Sequence, residues 1–90
     1  MKIPIYLYSN LQRYTDGQIV VESEGSTVGQ CLEHLTHKYP EIAPTIFDKS
    51  GIISSLVYIS VNLESPSSEV LERSLSEGDR IYIILIVAGG

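Results

Sequence analysis

The sequence predicts an α+β fold in which one helix covers one face of a β-sheet. Four stretches have the β-branched, aromatic or alternating composition of strands, and one amphipathic segment with a helix-start signal lies between the second and third. A chain of 90 residues is long enough for one two-layer core and too short for a second. The order strand, strand, helix, strand, short element, strand indicates a mixed sheet, although the pattern alone allows other α+β arrangements.

The first two strands are predicted to form a hairpin. Residues Ile3 to Tyr8 alternate between two sets of side chains, and this period of two sends one set to the core and the other outward. The pair Asp16-Gly17 is a strong turn signal. Gln18 to Glu24 then forms the second strand.

The amphipathic segment begins at Thr27. Thr27 followed three residues later by Gln30 fits the capping-box pattern that starts helices. Pro40 ends the helix, because the residue before a proline is disfavoured in helical geometry. The predicted buried stripe consists of Val28, Cys31, Leu32, Leu35 and Tyr39.

The second half of the chain returns to strands. Glu41 to Gly51 is predicted to be a compact connector, with room for a helical turn and with Phe47 as its anchor in the core. Leu56 to Asn62 alternates as the third strand. Leu63 to Leu75 is predicted to be a short strand or turn followed by a helical turn, and Ile81 to Val87 is the final strand.

Successive side chains of a strand point to opposite faces of the sheet, so odd and even positions lie on different faces. This parity places several aromatic residues on the sheet face that the helix does not cover. Large amphipathic rings supply contact area at small entropic cost, so this face is a candidate protein interface. The ordinary alternative is a set of scattered surface aromatics. The outward set consists of Tyr6, Tyr8, Tyr58, Tyr82 and Ile84.

The sequence ends in Val87-Ala88-Gly89-Gly90, directly after the last predicted strand. Because glycine has no Cβ, such a tail fits a slot that is too narrow for side chains. We predict a flexible tail that presents the Gly90 carboxylate to another protein's active site, which describes a substrate and not an enzyme. The alternative is a frayed terminus without a function.

Composition argues against several classes of protein. A net charge of -5 without a basic cluster disfavours nucleic acid as a partner. The longest apolar run, Ile81 to Ala88, is far shorter than the roughly 20 residues of a membrane span, and the first residues do not form a signal peptide. We therefore expect a cytoplasmic location, and a single cysteine, which excludes an internal disulfide, agrees with a reducing compartment.

No residue set predicts a catalytic or metal site. Cys31, His34 and His37 lie three apart on the helix, but Cys31 belongs to the apolar stripe and the histidines drift off it, so they cannot converge on one ion. There is no phosphate-binding loop and no suggestive set of serine, histidine and carboxylate. We therefore predict no metal and no bound cofactor.

A set of short motifs follows one order over nearly the whole chain. The motifs are Thr27-Val28-Gly29, Tyr39-Pro40-Glu41, Ile46-Phe47-Asp48, Val61-Asn62, Leu75-Ser76-Glu77-Gly78-Asp79-Arg80-Ile81 and Val87-Ala88-Gly89-Gly90. In order and spacing the set resembles the small ubiquitin-like sulfur carriers of the MoaD/ThiS type. The resemblance implies one β-grasp domain over residues 1–90, with four or five strands and a Gly-Gly tail.

The resemblance also implies a function. In these carriers an ATP- and Mg²⁺-dependent activating enzyme adenylates the terminal carboxylate, here Gly90, which then becomes a thiocarboxylate. Tail and outward face together meet the partner enzymes. The sulfur acceptor is a pyridoxal-phosphate-dependent cysteine synthase, a molybdopterin synthase or the thiazole synthase of thiamine formation, and the carrier can be the small subunit of such a synthase.

Two further points concern the choice of partner and the class of protein. The segment from Arg13 to Gln18 resembles the cysteine-forming carriers more than the others. The alternative to a sulfur carrier is a ubiquitin-like interaction module, or a protein modifier that is conjugated to lysines.

Overall fold

The computed structural model describes residues 1–8, 10–65 and 69–86. One helix, α1, packs across one face of a four-stranded mixed sheet whose strand order is β2-β1-β4-β3. The two central strands, β1 and β4, are parallel, and the outer strands pair antiparallel with them. This arrangement is a β-grasp, which confirms the predicted fold. The strands and helix are β1 (Lys2–Leu7), β2 (Val20–Glu24), α1 (Val28–Lys38), β3 (Val57–Val61) and β4 (Ile81–Leu85).

The inward face of the sheet and the apolar stripe of α1 share one core. The alternation in β1 is as predicted, because Ile3, Ile5 and Leu7 are buried while the intervening side chains point away. The helix contributes Val28, Cys31, Leu32 and Leu35, all without exposed surface. Burial of such side chains stabilises the fold by about 1.5 to 3 kcal/mol each relative to exposure.

Helix α1 starts where the sequence predicts, with a variant of the expected cap. The backbone N–H of Gln30 donates to the hydroxyl of Thr27 at 3.2 Å. The side-chain carbonyl of Gln30 accepts from the backbone N–H of Ser26 at 2.8 Å, and not from that of Thr27 as in the standard capping box. The reciprocal bond is therefore displaced by one residue, and both donors are satisfied.

The connection between β1 and β2 is longer than a tight hairpin. It contains a 3-10 turn at Leu11–Tyr14. The predicted turn at Asp16-Gly17 does form, because both residues have positive φ and the N–H of Gln18 donates to the carbonyl of Thr15 at 3.0 Å. It lies inside the connection, two residues before β2 begins, and does not join the strands directly.

The connector after α1, predicted over Glu41 to Gly51, is held in the core mainly by other residues than the predicted Phe47. Residues Pro40–Ile42 form a 3-10 turn, and Ala43–Ile46 form a short helix, α2. Ile42 and Ile46, one helical turn apart, have no exposed surface, whereas Phe47 is only partly buried. Phe47 packs against the core as predicted, but the fully buried anchors of the connector are the two isoleucines.

The last strand is also shorter than predicted. β4 ends at Leu85, two residues before the predicted end at Val87, which lies outside the described residues with the rest of the tail. The helical turn predicted within Leu63 to Leu75 is present at Val70–Glu72. None of the helices in the described ranges is long and apolar enough to cross a membrane.

The turn before β4 is held by the carboxylate of Asp79. Its Oδ2 accepts from the backbone N–H of Ser76 at 2.8 Å, and its Oδ1 accepts from the side-chain amide of Asn62 at 3.0 Å. The Ser76 N–H, with a smaller effect from Asn62, favours the charged form and lowers the pKa of Asp79 below its usual value. The clamp joins the start of β4 to the end of β3.

We expect acid to weaken this clamp. Because the pKa of Asp79 is lower in the folded chain than in the unfolded chain, its carboxylate stabilises the fold above the unfolded value of about 3.9. That contribution is lost as the pH falls through the folded-state pKa. Urea unfolding at about pH 6 and about pH 3 should show a larger loss of midpoint for the wild type than for Asp79→Asn. Equal losses would contradict the role of Asp79.

Candidate functional site

The face of the sheet opposite α1 holds all five residues that parity places there. The register sets Tyr6 of β1 beside Tyr82 of β4, and Tyr58 of β3 beside Ile84 of β4. Tyr8 follows β1, and its N–H donates to the carbonyl of Ile83 at 3.0 Å, which keeps it in line with the sheet. We call this surface the outer face, defined by Tyr6, Tyr8, Tyr58, Tyr82 and Ile84.

Tyr82 is the centre of a stack of three rings. Its ring centroid lies 5.0 Å from that of Tyr6 and 6.3 Å from that of Tyr8, with interplanar angles of 21° and 15°. Stacked aromatic pairs contribute about 0.5 to 1.5 kcal/mol each beyond the area they bury. Tyr82 is consequently only 8% exposed, whereas Tyr8 is 42% and Tyr58 39% exposed. Tyr82 supports its neighbours, and the two exposed rings present the surface that a partner can contact.

Arg80 brings a positive charge to the edge of the stack. Its guanidinium carbon lies 5.9 Å from the ring centroid of Tyr6, within the range of a cation–π interaction. Arg80 is charged as arginines always are, and the side chain of Tyr82, with a smaller effect from Tyr6, raises its pKa further. The outer face therefore combines aromatic surface with the positive charge of Arg80.

Three exposed aliphatic residues that the sequence analysis did not include extend the outer face. Val20 of β2 pairs with Tyr6, and the N–H of Ile86 donates to the carbonyl of Leu56 at 2.6 Å. Leu56 and Ile86 could have been predicted from the sequence, because each lies two residues from an outward-facing residue, Tyr58 or Ile84, and alternate residues of a strand share a face. Val20 could be found only from the pairing of β2 with β1.

The outer face runs up to the start of the tail. Ile84 follows Tyr82 on the same side of β4, and Ile86, just after the strand, is the last described residue before the tail Val87–Gly90. A partner seated on the outer face therefore lies next to the residue from which the tail begins. The predicted roles of Val87, Ala88, Gly89 and Gly90 concern residues outside the described ranges and stay predictions.

Cys31 and the nearby histidines do not form a second site. The thiol has no exposed surface, and burial is the main cause that raises its pKa, which opposes formation of a reactive thiolate. Nδ1 of His34 accepts from the backbone N–H of Glu24 at 3.2 Å. Within the described part of the chain, no group of three or more His, Cys, Asp and Glu side chains is arranged to hold a metal ion.

Comparison with known proteins identifies relatives of this fold and sequence. The ThiS family model matches residues 5–90. No curated protein matches the sequence. The structure of SAMP1 from Haloferax volcanii superposes with a TM-score of 0.86 at 22% identity, over 100% of both chains.

Two further structures are similar at higher identity. CysO from Mycobacterium tuberculosis has a TM-score of 0.83 at 28% identity, over 94% of this chain and 99% of that chain. Small archaeal modifier protein 1 from Methanosarcina acetivorans has a TM-score of 0.82 at 29% identity, over 99% of this chain and 96% of that chain. The β-grasp assignment is thus supported by whole-chain superposition as well as by strand order.

Proposed function

Because this chain belongs to the ThiS family, we propose that it is a sulfur carrier whose Gly90 carboxylate is adenylated and then converted to a thiocarboxylate. A ThiS-type chain with a ubiquitin fold is a small carrier or modifier and is not itself an enzyme. The single observation that supports the proposal most strongly is the family match from residue 5 through Gly90, which includes the Gly-Gly pair.

The proposed order of steps follows from carboxylate chemistry. A carboxylate resists nucleophiles, because its negative charge repels them and oxide is a poor leaving group. When a Gly90 oxygen attacks the α-phosphorus of ATP, pyrophosphate leaves and an acyl adenylate forms. Sulfide then attacks the carbonyl carbon, AMP leaves, and the product is a terminal thiocarboxylate that holds sulfur on a protein.

The chain's own residues supply recognition and reach in this scheme. The outer face binds the activating enzyme through Tyr8 and Tyr58, whose exposed rings lie on a sheet that the core keeps rigid. The tail, residues 87–90, enters the active site, where the absence of side chains on Gly89 and Gly90 lets the backbone pass a narrow slot. We assign ATP and Mg²⁺ to the activating enzyme and none to this chain.

Among the acceptors that the family resemblance implies, we propose a pyridoxal-phosphate-dependent cysteine synthase. The segment from Arg13 to Gln18 resembles the cysteine-forming carriers, and CysO of Mycobacterium tuberculosis is 28% identical over nearly the whole chain. A chain of the BexX/CysO complex from Amycolatopsis orientalis is also similar, with a TM-score of 0.83 at 25% identity over 98% of this chain and 99% of that chain. In that complex a CysO protein is bound to a protein partner.

A protein modifier is the second candidate function. The likeness at 29% identity to a protein that is named a small archaeal modifier favours it. The first step would be the same, because an amine also needs an activated carboxylate. A lysine Nζ would then replace sulfide as the nucleophile, and an isopeptide bond to Gly90 would form.

The test is the intact mass of the chain after incubation with ATP, Mg²⁺, sulfide and the adenylating enzyme of the same cell. We expect one oxygen to be replaced by one sulfur, because sulfide displaces AMP from the acyl adenylate. Fragmentation of the C-terminal peptide should map the change to Gly90. Omission of ATP is the control, since no exchange is possible without activation.

Each other outcome has a defined meaning. A chain linked to lysines of other proteins, with no sulfur incorporated, would support the modifier function. A mass that stays unchanged with every adenylating enzyme of the cell would contradict both candidates and leave an interaction module.

A further inference from the structure

The turn that follows β3 contains a leucine, Leu63, in a backbone conformation and a degree of exposure that are both unfavourable for it. The turn Val61 to Glu64 is closed by a hydrogen bond from the N–H of Glu64 to the carbonyl of Val61 at 2.9 Å. Its two central residues, Asn62 and Leu63, have φ values of 54° and 63°. Asparagine is well suited to this conformation, but leucine costs roughly 1 to 2 kcal/mol there relative to glycine.

Leu63 does not recover that cost by burial. Its side chain is 71% exposed, more than any other large hydrophobic side chain in the described ranges. An apolar residue that is strained by the backbone and exposed to water contributes to the fold neither by conformation nor by packing. Strain of this kind is retained where the residue has a task outside the folding of its own chain.

The turn is rigid, so it can present Leu63 in one position. The side-chain amide of Asn62 donates to Asp79 at 3.0 Å, and its carbonyl accepts from the N–H of Arg80 at 2.9 Å. The hydroxyl of Ser60 donates to the carbonyl of Glu64 at 3.0 Å on the other side of the turn. A preorganised anchor loses little entropy on binding.

We propose that Leu63 is an anchor that enters an apolar pocket of the activating enzyme, and that basic side chains border this pocket. The inference rests on the proposed function, which makes the adenylating enzyme the first partner to receive the tail. We infer the basic border from the charge of the chain segment that contains the turn. Residues 62–80 contain five acidic and two basic side chains, a net charge of -3 out of -5 for the whole chain.

The anchor is continuous with the outer face. Asn62 holds the backbone of Arg80, and the guanidinium of Arg80 lies over Tyr6 in the ring stack. Leu63 is near the start of β4 and the tail follows its end, and a five-residue strand spans about 17 Å. A standard protein interface of about 800 Å² per partner is wide enough to include both ends. One enzyme can therefore hold Leu63 and the outer face while it receives the tail.

The test measures adenylation by the activating enzyme of the same cell for the wild type and for Leu63→Asn. Asparagine accepts the positive φ and removes the apolar side chain. We expect the thermal midpoint to stay unchanged or rise by up to about 5 °C, and KM to rise at least about tenfold with kcat unchanged. Leu63→Met, which keeps an apolar anchor, should remain within about threefold of the wild type.

The control is Ile52→Asn, which removes the aliphatic side chain that comes next to Leu63 in exposure among the described residues and lies elsewhere on the molecule. Ile52 is 64% exposed, and the neighbouring Gly51 lines a groove with Gly29 of α1, on the helix side of the molecule. Its KM should match the wild type.

The outcomes separate this inference from the proposed function. A wild-type chain that is adenylated, together with Leu63→Asn of unchanged KM, overturns the anchor alone. A loss that appears only with the sulfur acceptor overturns it as well. A wild-type chain that no adenylating enzyme modifies overturns the proposed function and, with it, the anchor.

Discussion

Deletion of Gly89 and Gly90 should abolish sulfur loading while the urea unfolding midpoint of the chain stays at the wild-type value. Two residues of extended chain provide about 7 Å of reach, and a misplacement of even about 1 Å can cost on the order of a hundredfold in rate. We therefore expect adenylation to fall by more than about a thousandfold. The fold should not respond, because every residue of the described core lies at or before Leu85.

The variant Gly89→Ala distinguishes the effect of tail length from the effect of a narrow entrance to the enzyme's active site. It keeps the length of the tail and adds one Cβ, so a narrow slot should lower kcat/KM by roughly ten- to a hundredfold with no effect on stability. Mass spectrometry measures the incorporation of sulfur in both variants. Sulfur on the new terminal carboxylate of the truncated chain would show that reach is not required. If the wild type acquires no sulfur and the truncated chain still binds its partner as tightly as the wild type does, the protein is an interaction module.

The sides of the sheet could be predicted from the sequence because strand alternation is a local property. The period of two in β1 and β3 is visible within six residues, so it predicts the correct face for Tyr6, Tyr8 and Tyr58. The same parity put Tyr82 and Ile84 beside them. The cap at Thr27 and the turn at Asp16-Gly17 were predictable for the same reason, since the atoms that form them are close in sequence.

Properties that depend on contacts between distant segments could not be predicted. Tyr82 points outward as parity requires, yet it is nearly buried, because the rings of Tyr6 in β1 and of Tyr8, which follows β1, both stack with it. In the connector, the sequence Ile46-Phe47 offers two candidates for the core. The direction of α2 decides between them, and that direction is set by packing against the rest of the molecule.

The burial of Tyr82 determines which tyrosines test the outer face without unfolding it. Replacing Tyr82 would remove a packed ring, at a cost of about 3 kcal/mol or more in stability, and any loss of function would be ambiguous. Tyr8 and Tyr58 are exposed and can be truncated with little effect on the core. They are therefore the informative positions.

The double substitution Tyr8→Ala with Tyr58→Ala should raise the KM for adenylation by on the order of a hundredfold and leave kcat within about twofold. Exposed aromatic rings at the centre of an interface often cost 2 kcal/mol or more each when truncated, although such losses are not additive. The chemistry at Gly90 is unaffected once the tail is in place. Steady-state kinetics over a wide range of carrier concentration distinguishes the two constants.

The matched control for this substitution is Tyr8→Phe with Tyr58→Phe, which keeps the rings and removes the hydroxyls. It should retain most of the activity if contact area is what the enzyme recognises, and it should lose activity like the alanine pair if hydrogen bonds from the hydroxyls dominate. The midpoint of thermal unfolding should match the wild type for the phenylalanine pair. For the alanine pair it should fall by up to about 10 °C, the loss expected when the Tyr8–Tyr82 stack is removed. If KM is unchanged for the alanine pair, the activating enzyme does not bind the outer face, and recognition rests on the tail and the Leu63 turn.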